Sequence, residues 1–137
     1  MAGNGELNKL HNLVHDRAKI ISIKDIKNVQ DFRSNVEAKS DDITVNYARL
    51  KDQLLLAVNV IDDYFSGACN EIPLYSISLL SVLVMYFLDD NDLIPDSTHG
   101  IGYLDDFMVG ETVFESIRDD LEEYCEVKKI DLSKCYP

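Results

Sequence analysis

The chain has 137 residues, 46% of them apolar, and a formal charge of −12, a size and composition that fit one domain with one core. Its three cysteines, Cys69, Cys125 and Cys135, are an odd number without CxxC spacing, which argues against a disulfide framework and a structural zinc site and points to a reducing, cytoplasmic setting. The charge is one-sided. Residues 1–66 carry ten acids and nine bases, whereas residues 71–126 carry fourteen acids and one base, Arg118. This argues against direct binding to a nucleic-acid backbone, which needs lysine and arginine, and against electrostatic docking on an anionic membrane. A basic partner, a cation or solubility alone is left.

Residues 1–5 read as a disordered start, with no basic segment followed by an apolar one as in a signal peptide. Leu7, Leu10, Val14 and Ala18 recur at helical spacing, so residues 6–19 form an amphipathic helix. His11 and His15 share a face of it. The sequence HNLVH lacks the glutamate that follows the first histidine in zinc proteases, and a surface pair is the simpler expectation. Ile26, Val29, Phe32 and Val36 mark a second helix, entered through Ser22 and Asp25 in a capping-box arrangement. Asp41 or Asp42 is expected to cap a third helix with the stripe Ile43, Tyr47, Leu50, Leu54, Ile61 and Phe65, stopped at Gly67.

Pro73 suits the start of a fourth helix, residues 74–88, that is apolar nearly all round apart from serines able to bond back to their own helix. It would span about 22 Å, short of the ~30 Å hydrocarbon core of a bilayer, so a buried helix is expected rather than a membrane span. Pro95, Gly100 and Gly102 then impose a turn. A fifth helix over residues 103–127 presents Leu104, Phe107, Met108, Val113, Phe114, Ile117, Leu121 and Tyr124; Gly110 weakens it and permits close packing. The tail, 128–137, reads as loose. The expected fold is an all-α, single-domain bundle of about five helices around segment 73–88, with an N-terminal region 6–66 packed on a second region 67–127.

Tyr86-Phe87-Leu88, then Asp92-Leu93-Ile94-Pro95-Asp96, then Gly102-Tyr103-Leu104-Asp105-Asp106, follow one another at the spacing of a known signature. Together with the lead-in YFSGACNEIP, residues 64–73, this stretch resembles the YkvA-like domain, a bacterial family of unknown function, over about residues 64–110. Asp89-Asp90 replace that family's usual Ser-Pro or Asn-Pro pair, and the polar Ser97-Thr98-His99-Gly100 replaces an apolar linker. The resemblance implies an all-helical module sometimes found near membranes; it implies no activity.

Among residue types that carry chemistry, the aspartates stand out. Asp92, Asp96, Asp105 and Asp106 are the candidates for a hard cation, which wants several converging oxygens, although EF-hand spacing is missing. The simpler expectation is that these acids accept backbone N–H bonds. On that reading Asp92, Leu93, Ile94, Pro95 and Asp96 form an architectural corner with Leu93 and Ile94 turned inward, and Asp105 or Asp106 sits in the first turn of the last helix. His99 lies in the same turn and could pair with an aspartate as a pH-sensitive latch, though a solvated loop histidine is the simpler expectation. No nucleophile elbow, P-loop or Rossmann glycine pattern occurs, so no catalytic residue and no cofactor are expected. The leading expectation is a non-enzymatic module that binds a protein partner, basic in character, through its acidic C-terminal half; self-association into a homo-oligomer is compatible with it. The alternatives are an acidic mimic that blocks a DNA- or RNA-binding protein, peripheral membrane association through residues 74–88, and a hydrolase built on the aspartates.

Overall fold

The computed structural model describes residues 2–69, 71–89 and 104–137, with side chains from Asn8 onward. Among the described residues the chain is all-helical, with no strand. The α-helices are α1 (Ala2–Ile20), α2 (Ile23–Asp31), α3 (Arg33–Ser40), α4 (Ala48–Ser66), α5 (Leu74–Leu88), α6 (Leu104–Ser116) and α7 (Arg118–Lys128), with 3-10 turns at Val45–Tyr47 and Ser133–Cys135.

Local chemistry explains the boundaries. Ser22 caps α2, its Oγ accepting from the Asp25 N–H at 3.1 Å, as the capping pattern requires. Gly67 ends α4 in the left-handed region at φ 84°, where a side chain would be strained. α5 starts just past Pro73, whose carbonyl accepts from Ser76 and Ile77. Eleven of the fifteen α5 residues are buried, and the helix packs against α1, α2, α3, α4 and α6. Its polar groups are satisfied without water: Ser78 and Ser81 donate to the carbonyls of Leu74 and Ile77, and Ser76 donates to Asp120 Oδ2 of α7 at 2.7 Å. No helix among the described residues is long and apolar enough to cross a membrane.

Several expectations need correction. Two of the expected helices are each split. The second breaks at Phe32 (φ −99°, ψ 10°), and the last breaks at Ile117 (φ −121°, ψ 26°). A straight helix over 103–127 would run about 37 Å, longer than a small domain. Past the break, Leu121, Tyr124 and Cys125 of α7 are buried while Asp119, Glu122, Glu123 and Glu126 are exposed. Neither Asp41 nor Asp42 caps the third helix; Asp41 ends α3 and pairs with Lys51 at 3.1 Å, and α4 begins only at Ala48, after Tyr47. The backbone is helical from Ala2, in the stretch expected to be disordered. Nor is the tail loose. Cys135 is buried, its carbonyl accepts from Gln53 Nε2 at 3.0 Å, and Tyr136 donates its hydroxyl to the carbonyl of Phe114 at 2.5 Å. The Arg118 guanidinium lies over the Tyr136 ring at 4.6 Å.

All three cysteines are free thiols. Burial pushes Cys125 up to about 11 and Cys135 up to about 12, so neither forms thiolate near neutral pH, whereas Cys69 is half-buried on the α4–α5 connection. Iodoacetamide at about pH 8 is therefore expected to alkylate Cys69 first, with the other two reacting only as the fold opens. Equal rates at the three sites, read by peptide mass spectrometry, would contradict this burial pattern.

Candidate functional site

Of the aspartates singled out by sequence, Asp92 and Asp96 lie outside the described residues, as do Leu93, Ile94, Pro95, His99, Gly102 and Tyr103. Asp105 and Asp106 stand in the first turn of α6, where a carboxylate complements the helix dipole. Asp105 accepts the Tyr86 hydroxyl at 2.9 Å, joining α6 to α5, and Asp106 is buried, with 7% of its surface exposed. Among the described residues no group of three or more His, Cys, Asp and Glu side chains is placed to hold a metal ion.

Among the described residues, the exposed carboxylates of the acidic C-terminal half include those of α7. The acids of α7 divide by their neighbours. Asp120 is spent inside the fold on Ser76, and Glu122 pairs with Arg118 at 3.3 Å. Asp119, Glu123 and Glu126 are exposed, and among the described residues they make no ion pair. The two bases of α7 are already engaged: Arg118 by Glu115 at 3.5 Å and by Glu122, Lys128 by Asp63 at 3.4 Å. Beside this face, α7 and the α4–α5 connection enclose a cleft of about 240 Å³ with Glu71, Asp120 and Glu123 among its lining residues and Ile72, Tyr124 and Val127 as apolar wall. Tyr124 is fixed there by donating to Asp63 Oδ2 at 2.6 Å; burial, then the Asp63 carboxylate, push its phenol well above the ordinary range.

A second constellation is absent from any local sequence pattern. His15 on α1 reaches Tyr75 at the start of α5, Nδ1 to the hydroxyl at 2.5 Å, and Ser116 at the end of α6, Nε2 to Oγ at 3.1 Å. His11 stacks on it with ring centroids 4.2 Å apart. The pair read as a surface feature is thus half engaged: His11 is exposed, and His15 is a joint between three helices. Its partners stand 60 and 101 residues away, beyond the reach of any motif.

A third cluster ties α4, α6 and the tail. Gln53, with no exposed surface, donates from Nε2 to the Cys135 carbonyl and to Glu111 Oε2 at 3.4 Å; Glu111 is also ion-paired with Arg49, whose guanidinium lies over the Phe107 ring at 5.5 Å. This network is internal and reads as architecture.

No family model, no curated protein and no solved structure matches the chain.

Proposed function

We propose that the chain is a protein–protein interaction module that receives a basic partner on the outward face of α7. The observation that supports this reading is the set of exposed carboxylates of Asp119, Glu123 and Glu126, without an ion pair among the described residues, on a helix whose two bases are already committed. Carboxylates left without counter-charges steer and orient a basic surface, and the neighbouring apolar wall supplies area that charge alone does not. α7 has eleven residues and is about 16 Å long, which favours a compact basic patch over the long carboxylate track of a nucleic-acid mimic. A cytoplasmic setting belongs to the proposal, as does kinship with the YkvA-like domain on the residues quoted above; that kinship adds no chemistry to it.

The test compares wild type with Asp119→Lys/Glu123→Lys/Glu126→Lys as baits in the native host. The expected result is a reproducible partner that is lost from the charge-reversed bait and weakens as salt is raised. Equal capture by both baits, or capture indifferent to salt, would overturn the reading.

A further inference from the structure

We propose that the groove between the α1–α2 corner and α5 receives a second copy of this chain, with a two-fold axis through the groove and Arg17 of each copy set against Asp25 of the other. The groove holds about 300 Å³ and has Ile20 of α1, Val82 and Met85 of α5, and the charged Arg17, Asp25 and Asp89 among its lining residues. Its apolar side chains are left open against the run of the fold. Between Ser76 and Phe87, α5 is buried everywhere except at Met85, which is 41% exposed. Ile20 is 82% exposed, and Ile23, three residues on at the same corner, is 56% exposed. Taking these three side chains out of water is the gain that association offers.

Charge decides the occupant. Arg17 and Asp25 are both exposed, and among the described residues neither makes an ion pair. A two-fold contact sets one patch against itself, so the patch must hold both signs; a face of one sign repels its own copy. The outward face of α7 fails that condition. The groove meets it, because residues 17–25 hold Arg17, Lys19 and Lys24 beside Asp25, and Asp89 adds a second acid from the end of α5. Residues 1–66 as a whole carry ten acids and nine bases, so two copies meeting on this side add little repulsion to each other. The three bases of the corner disfavour a basic partner here, and the carboxylates of Asp25 and Asp89 disfavour an anionic bilayer. The site is therefore separate from the α7 face and does not depend on it. A standard interface removes about 800 Å² from each partner, and a small apolar centre with two rim ion pairs belongs to the weak, concentration-dependent class.

Sedimentation equilibrium of the intact chain from about 10 μM to about 1 mM tests this in the range where weak interfaces assemble. The expected result is a mass that climbs from the monomer toward twice that value as concentration rises. Ile20→Asp, at a side chain too exposed to hold the core, should stay monomeric and keep the melting temperature that the wild type shows when dilute. Arg17→Asp and Asp25→Arg should each weaken self-association several-fold, because each puts like charges together at both symmetry-related contacts. An equal mixture of these two variants should dimerise again, since every such contact then joins opposite signs. A chain that is monomeric throughout, a dimer that survives Ile20→Asp, or a mixture no more dimeric than its components would overturn the proposal. So would flotation of a monomeric chain with phosphatidylglycerol or phosphatidylcholine vesicles that Ile20→Asp abolishes, which would put a bilayer in the groove instead.

Discussion

Phe114→Ala is expected to destabilise the fold by about 3–5 kcal/mol, the cost of a large core truncation that leaves a cavity. Phe114 has no exposed surface and sits on α6 where the tail returns, its ring 5.9 Å from that of Tyr136. The Tyr136 hydroxyl closes on the Phe114 carbonyl, and Arg118 covers the other ring. Removing the Phe114 ring therefore empties a core position and takes away the surface on which the tail is seated. Because domains of this size are stable by only about 5–15 kcal/mol, the loss should be visible as a large fall in the denaturant midpoint. Val45→Ala is the matched control. Val45 is 87% exposed, and its truncation should stay within about 0.5 kcal/mol. Similar midpoints for the two variants would mean that the tail and α6 do not pack as described.

The helices themselves were legible in the sequence because each has a local cause: Ser22 before Asp25, Gly67 after the third apolar stripe, and the two serines that bond back inside α5. The breaks at Phe32 and Ile117 were not. Neither position carries proline or glycine, and the reason for turning there is tertiary: α7 must bring Leu121 and Tyr124 back to the core. The docked tail is hidden from the sequence for a similar cause. Its docking depends on a buried glutamine 82 residues away and on a carbonyl of α6, neither of which marks residues 130–137 in advance. The acidic half was visible as composition, but which of its carboxylates remain unpaired depends on which bases have been consumed by Asp63, Glu115 and Glu122. His15 shows the limit most clearly. Its face and spacing were plain, while the partners that change its meaning come from two other helices.

Gly110→Ala should destabilise the fold although it improves helix propensity, and the sign of its effect should reverse when Gln53 is removed. Glycine inside a helix costs about 1 kcal/mol relative to alanine, so an unobstructed replacement would stabilise α6. The site is obstructed. A Cβ at Gly110 would stand 2.3 Å from Gln53 Oε1 and 3.4 Å from both Gln53 Cδ and Leu50 Cδ1. Gln53 is fully buried and cannot swing aside cheaply, since its Nε2 holds the Cys135 carbonyl and Glu111. Among the described residues its Oε1 has no conventional hydrogen-bond partner, and it lies against the hydrogen that glycine presents where other residues carry Cβ, a contact with the character of a weak C–H···O bond. Forcing a methyl into this gap should cost about 1–3 kcal/mol net of the propensity gain. In a Gln53→Ala background the obstruction is gone, and Gly110→Ala should then stabilise by about 1 kcal/mol. A four-cornered cycle of urea denaturation curves measures both signs at once. If Gly110→Ala stabilises with Gln53 in place, Gln53 does not occupy the space that this glycine leaves.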